Sequence, residues 1–190
     1  MEAAHTRSLT TIGVLIFLGG VFVFSWTMKL VSSLKETQQG FPRKEAIFIG
    51  TDGVVFQDRE NTCGPATLKM ILDHWGIDIS LRELKRKVRM SARGSSLFAL
   101  KETAESFGLN ANGLMLKTED LRVSPLPLIL FVRGEHFVVL DSMDGEGCLF
   151  VRDPMIGRIK IGVRGLEDIW RGEALVFDDL VGRRGHDKLR

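Results

Sequence analysis

The sequence predicts an α+β domain preceded by one transmembrane helix. Two observations indicate this. An uncharged apolar stretch lies near the N-terminus, and the patterns behind it predict helices first and then a run of short strands. Helices that precede a set of strands are typical of an antiparallel sheet with helices packed on it. The 190 residues accommodate one domain of about 100–150 residues and an additional segment.

Composition excludes several classes of protein. Hydrophobic residues make up 44% and charged residues 26% of the chain, a globular balance rather than a disordered or collagen-like one. The net charge of +2 gives no reason to expect a nucleic-acid partner. Cys63 and Cys148 are too few for a disulfide framework and match no zinc-binding spacing. We therefore expect no metal and no cofactor.

The apolar stretch runs from Ser8 to Met28 without a charged residue. A helix of this length spans about 30 Å, which matches the hydrocarbon core of a bilayer. Trp26 lies at one end, where its ring suits the membrane interface. A cleaved signal peptide is the alternative, but the stretch exceeds the usual signal-peptide core of about 7–15 residues. We expect an N-terminal tail at 1–7, a transmembrane signal anchor at 8–28 and a polar linker at 29–45.

Residues 46–180 carry the patterns of the α+β domain, and residues 181–190 are a basic tail. Apolar residues at helical spacing predict a first helix from Pro65 to Trp75. Two further helices are predicted behind the capping residues Ser80 and Ser95 or Ser96. Strands are predicted at 46–50, 53–57, 114–117, 127–134, 136–143, 148–153, 158–161 and 174–177, with a turn at Asp144-Gly145 and a short helix at 165–170.

Cys63 lies directly before Gly64 and Pro65, at the predicted start of the first helix. Proline is favoured at the first helical position because no N–H is needed there. The free N–H groups and the macrodipole of a helix N-terminus stabilise an anion, and a thiolate is such an anion. Cys63 is therefore a candidate nucleophile, with a cysteine that merely packs in the core as the alternative.

Three other residues stand where they could serve a thiol nucleophile. His136 opens a predicted strand, and Asp153 closes the next one before Pro154. A cysteine, a histidine and a carboxylate can act as nucleophile, base and orienting group. Gln57 precedes Cys63 by six residues, close enough for its amide to return beside the thiol and complete an oxyanion hole with the Cys63 N–H. Taken singly, each is more simply explained as a turn or strand-end residue.

Three motifs together resemble those of the C39 peptidases: Q-x5-CGPA from Gln57, HFVVL from His136 and DPxxG from Asp153. These peptidases are papain-like domains that cut double-glycine leader peptides from bacteriocins and related exported peptides. The resemblance extends from about Phe56 to Asp179. It implies a papain-like cysteine peptidase domain in which Cys63 is the nucleophile, His136 the general base, Asp153 the orienting residue and Gln57 the oxyanion donor.

The resemblance also implies a substrate and partners. The substrate would be a polypeptide cut after small residues, at a Gly-Gly-like site. Most members are fused to an exporter with an ATPase, whereas no Walker motif occurs here and one span is predicted. The chain therefore resembles the stand-alone, membrane-anchored members, some of which accompany secretion systems such as those for functional amyloid. The expected partners are the membrane and a secretion or ABC-type export apparatus; the alternative is a non-catalytic module that grips a leader for such an apparatus.

Two opposing signals bear on the side of the membrane. One basic residue, Arg7, precedes the span and two or three lie behind it (Lys29, Lys35, Arg43), which weakly favours a cytoplasmic domain. A short N-terminal tail before one apolar helix, however, commonly acts as a signal anchor that exports the domain C-terminal to it. We expect a single-pass protein of the bacterial inner membrane with its domain on the extracytoplasmic, periplasmic side, and the cytoplasmic arrangement stays open.

Overall fold

A computed structural model describes residues 46–179. The predicted membrane helix at 8–28, the linker at 29–45 and the basic tail at 181–190 lie outside the described residues. Within 46–179, every helix is too short or too polar to cross a lipid bilayer.

The described residues form helices and strands in mixed order. The helices are α1 (Cys63–His74), α2 (Leu81–Lys87), α3 (Leu97–Ser106) and α4 (Val163–Glu167), with a 3-10 turn at Asp120–Arg122. The strands are β1 (Ala46–Gly50), β2 (Met90–Ser91), β3 (Gly94–Ser95), β4 (Leu109–Met115), β5 (Leu128–Val132), β6 (His136–Met143), β7 (Cys148–Asp153), β8 (Gly157–Gly162) and β9 (Trp170–Asp179).

Seven of these strands make one antiparallel sheet in the order β1-β8-β7-β6-β5-β9-β4, and β2 and β3 form a separate hairpin. Strand β6 shows why the sheet has two hydrophobic cores. Phe137 and Val139 belong to the cluster that includes the helices α1 to α3, whereas Val138 and Leu140 belong to the cluster that includes α4. This alternation follows from the two-residue period of a strand. The predicted α+β class, with helices packed on an antiparallel sheet, is confirmed.

The helices α2 and α3 begin where the sequence predicts, whereas α1 begins at Cys63, two residues before the predicted start at Pro65. In α1 the apolar stripe of Leu68, Ile71 and Leu72 is fully buried. The hydroxyl of Ser80 accepts a hydrogen bond from the Glu83 N–H at 3.2 Å, and that of Ser96 accepts one from the Ala99 N–H at 3.1 Å. Such N-caps satisfy donors that the helix itself leaves unpaired. Of the two serines considered for α3, Ser96 is the cap.

Two predicted strands are wrong in type or position. Residues 53–57 are a loop outside the sheet, which begins in a turn with Gly53 at φ +69°. Strand β4 occupies 109–115 rather than 114–117, because it pairs with β9 from Leu109–Asp179 to Met115–Glu173. Its first residues, LNANG, have low strand propensity, so tertiary pairing decides their conformation. The short helix predicted at 165–170 occupies Val163–Glu167 instead, so it both begins and ends earlier.

Gly64, the residue after Cys63, has no room for a side chain. A Cβ atom at this position would lie 2.8 Å from the Ser95 hydroxyl oxygen, 2.9 Å from Ser95 Cβ and 3.3 Å from Leu100 Cδ2. The β2–β3 hairpin therefore packs directly against the N-terminus of α1. This contact fixes the backbone on which the candidate nucleophile stands.

Replacing Gly64 with alanine should destabilise the domain, although alanine ordinarily favours a helix over glycine by about 1 kcal/mol. Overpacking against Ser95 should outweigh that gain and lower the free energy of unfolding by about 1–3 kcal/mol, measured by urea denaturation. Ser95→Gly removes both short contacts, so the double variant should lose less stability relative to Ser95→Gly alone. A Gly64→Ala protein as stable as the unmodified chain would contradict this packing.

Candidate active site

Cys63 is buried as the first residue of α1, directly after Thr62. The Thr62 side chain does not cap this helix. Its hydroxyl instead accepts a hydrogen bond from the Arg59 N–H at 3.1 Å and lies 3.0 Å from a carboxylate oxygen of Asp58. The first turn of α1 also contains no acidic residue. The N–H groups at this end are therefore available to an anion, as the predicted role of Cys63 as a nucleophile requires.

His136 and Asp153 lie at the same end of two adjacent strands. The pairing of Val139 with Arg152 places Asp153 level with Val138, diagonally across from His136. His136 Nε2 is 2.9 Å from Asp153 Oδ1, and both side chains are buried. The Met155 N–H donates to the same oxygen at 2.7 Å. The other oxygen, Oδ2, is buried without a hydrogen-bond partner among residues 46–179.

The environment of His136 favours its charged form. Burial lowers the pKa of the imidazole, but hydrogen bonds with Asp153 and then with Cys63, together with the charges of both, raise it further than burial lowers it. The pKa rises from 6.5 to about 9. At neutral pH the ring is therefore an imidazolium between the carboxylate and the sulfur. Because Nε2 bonds with Asp153, Nδ1 is the nitrogen left to exchange a proton with the thiol.

Gln57 lies in the 53–57 loop rather than at the end of a strand, which corrects the sequence prediction. Its backbone N–H donates to the Pro154 carbonyl at 2.9 Å. Its side-chain Nε2 donates to the Arg59 carbonyl at 3.1 Å and lies 3.5 Å from the Glu60 carbonyl. The second contact is at the limit of a hydrogen bond, so one amide N–H can be recruited by another acceptor. The role of Gln57 as an oxyanion donor stays a prediction.

The structure thus places His136 in contact with both Cys63 and Asp153, and the Gln57 backbone is hydrogen-bonded to the residue after Asp153. A thiol beside an imidazolium and a buried carboxylate can perform nucleophilic chemistry on a carbonyl carbon. Sequence reasoning did not find the supporting groups, which are the Met155 N–H and the Pro154 carbonyl. The DPxxG motif was the available signal for them, because proline forces a turn after the strand.

One cluster of possible metal ligands occurs within 46–179, formed by Asp144, Glu146 and Cys148. It lies at the other end of β7 from Asp153, about 17 Å away at the rise of an extended strand. Asp144 Oδ1 already accepts hydrogen bonds from the Glu146 and Cys148 N–H groups at 3.1 and 2.8 Å, and Oδ2 is 3.2 Å from Lys160 Nζ. This carboxylate therefore stabilises the turn between β6 and β7.

Residues 52–180 match the family model of the peptidase C39 family. The colicin V secretion/processing ATP-binding protein CvaB of Escherichia coli is 41% identical over 122 residues, which are 64% of this chain and 17% of that protein. The chain therefore spans only about a sixth of the length of this relative.

Two further similarities concern a second relative and a solved structure. The probable functional amyloid protease FapD of Pseudomonas aeruginosa is 28% identical over 146 residues, which are 71% of this chain and 62% of that protein. A double-glycine motif protease from an AMS/PCAT transporter, solved in complex with the leader peptide, has a TM-score of 0.63 and 26% identity. That match covers 70% of this chain and 96% of the solved one. This chain belongs to the peptidase C39 family.

Proposed function

We propose that this chain is a cysteine endopeptidase that hydrolyses a peptide bond after small residues of a secretion-associated polypeptide. Cys63 is the nucleophile, His136 transfers the proton and Asp153 orients the histidine. The observation that carries the proposal is the buried His136 ring held between the Asp153 carboxyl group and Cys63. A structural cysteine would need neither a protonated partner nor a buried carboxylate behind it, and burying that carboxylate is costly unless it is paired.

The reaction begins with attack of the Cys63 thiolate on the scissile carbonyl carbon. The carbonyl π electrons move to oxygen, and the resulting oxyanion accepts hydrogen bonds from the Cys63 N–H and the Gln57 amide. The oxyanion then collapses and expels the amine, which takes the proton from His136 Nδ1. The acyl group remains on sulfur as a thioester.

In the hydrolysis of the thioester, His136 acts first as a base and no longer as an acid. The neutral His136 takes a proton from water as the water oxygen attacks the thioester carbonyl. The second oxyanion collapses, the carboxylic acid product leaves, and sulfur departs as the thiolate beside the imidazolium. Asp153 keeps its hydrogen bond to Nε2 throughout, so the ring does not rotate away from the sulfur.

The substrate class rests on the relatives. The transporter protease is described as a double-glycine motif protease bound to a leader peptide, CvaB as a secretion and processing protein, and FapD as a probable functional amyloid protease. By analogy, this chain acts on a polypeptide with a Gly-Gly-like site that a secretion or ABC-type export apparatus handles. This transfer is an analogy from fold and family, and the site chemistry agrees with it.

We further propose that residues 8–28 anchor the chain in the bacterial inner membrane and place the peptidase domain on the periplasmic side. The support is the uncharged apolar sequence of this segment. A linker of 29–45 would keep the active site within some tens of Å of the bilayer. The substrate would therefore be met during export.

Replacing Cys63 with alanine should abolish cleavage and leave the fold intact, because the nucleophile is lost while a small buried side chain is retained. The assay incubates the full chain in detergent with two peptide libraries, one built around Gly-Gly and one around Val-Val, and maps products by mass spectrometry. The unmodified chain should cut only after Gly-Gly, and the variant should lose about 10⁶-fold in rate, to the detection limit.

The matched control is Cys148→Ala, which alters the other cysteine and should retain full activity. Cleavage by the Cys63→Ala variant at the unmodified rate would refute the mechanism. Binding of the Gly-Gly peptides by a folded chain that cuts neither library would identify a leader-binding module instead.

A reporter fused after Arg190 should reveal the side of the membrane. Export by the signal anchor predicts alkaline phosphatase activity from this fusion, since that reporter matures only outside the cytoplasm. Deletion of residues 1–28 provides the control and should abolish the activity. Bright fluorescence from a cytosol-only reporter at the same position would place the domain, and its substrate, in the cytoplasm.

A further inference from the structure

Arg152 is the residue before Asp153 and takes part in a partly buried hydrogen-bond network that has no role in the proposed reaction. Its guanidinium forms a bidentate ion pair with Asp141 on the neighbouring strand β6. Arg152 Nε is 2.9 Å from both carboxylate oxygens of Asp141, and Nη2 is 2.7 Å from Oδ1. Only 12% of the Arg152 and 19% of the Asp141 side chain is exposed. The ion pair therefore orients the guanidinium plane firmly.

The remaining side of this guanidinium reaches the loop that carries Gln57. Arg152 Nη1 donates to the Gly53 carbonyl at 2.9 Å. The 53–57 loop pairs with no strand, so it lacks the ladder of hydrogen bonds that holds the sheet. It is instead attached at both ends, at Gly53 by Arg152 and at Gln57 by the Pro154 carbonyl.

The two residues that hold this loop, Arg152 and Pro154, lie immediately before and after Asp153 in the sequence. Successive residues of a strand point to opposite sides, and here Asp153 contacts His136 while Arg152 contacts the loop. The end of β7 thus supplies the orienting carboxylate, Asp153, while the residues on either side of it hold the loop that carries the oxyanion donor. A displacement of this strand end would shift both groups together.

We propose that Arg152 is a positioning residue, whose guanidinium, oriented by Asp141, holds the Gly53–Gln57 loop so that the Gln57 amide reaches the oxyanion. This inference rests on the proposed peptidase function. Lysine cannot replace it, because a single ammonium group cannot present the planar set of donors that bonds Asp141 and Gly53 at once.

The test is a double-mutant cycle on Gly-Gly peptide cleavage, with Arg152→Gln and Gln57→Ala measured singly and together. Gln57→Ala should lower kcat by about 10²–10³-fold, as the loss of one oxyanion donor does. Arg152→Gln should lower kcat by about 10-fold or more and change KM less than about threefold, because it misplaces a group that acts on the transition state. In the Gln57→Ala background, Arg152→Gln should cause no further loss.

Two variants control for a general effect on structure. Arg158 lies opposite Arg152 on β8, and Arg158→Gln should leave kcat unchanged. Arg152→Lys retains the charge and should still lower kcat, with a thermal unfolding midpoint that serves as the check on folding. If Arg152→Gln does not fold, the cycle is run with Arg152→Lys.

Equal losses from the Arg152 substitution with and without Gln57 would overturn the inference, and so would an unchanged kcat. The same assay separates this failure from failure of the proposed function. If the Cys63→Ala variant is inactive and the cycle is additive, only the role of Arg152 is refuted. If the Cys63→Ala variant is fully active, the peptidase mechanism itself is refuted.

Discussion

The hydrogen bond between His136 and the buried carboxylate of Asp153 is the interaction on which the site depends. Asp153 is completely removed from solvent, and a carboxylate in that position is stable only beside a positive partner. His136 is buried as well, and burial alone would make its ring neutral. Each group therefore supplies the charge that the other needs. The imidazolium that results is hydrogen-bonded to Cys63 as well.

The antiparallel sheet makes this pairing possible by bringing together segments that are distant in sequence. The start of β6 and the end of β7 lie side by side because a short hairpin joins these antiparallel strands. The cysteine comes from α1, in the layer of helices packed on the sheet. Gly64 allows the β2–β3 hairpin to press against the start of α1, and the turn at Pro154 receives the Gln57 backbone. The site is thus formed at the ends of helices and strands, where backbone N–H and C=O groups are not already paired within the secondary structure.

The sequence predicts this arrangement well where local rules apply and poorly where cross-strand register decides. Ser80 and Ser96 cap their helices as predicted. Cys63 lies at the N-terminus of α1 as predicted, although Pro65 is the third residue of that helix and not the first. The prediction of a strand at 53–57 is wrong, because the apolar residues of this segment pack against a core as a loop. The contact of Arg152 with Asp141 has no signal in the sequence, since it occurs where a β-bulge shifts the register between Leu140 and Ser142.

The protonation state of His136 tests the central claim most directly, and it requires no substrate. NMR titration of ring-labelled histidine follows each of the four histidines, and the His136 signal is assigned from a His136→Gln sample. We expect an imidazole pKa of about 9, with a lower value in Asp153→Asn because a charge that favours the imidazolium is removed. A titration near the ordinary value of about 6.5, unaffected by the Asp153 substitution, would contradict the account.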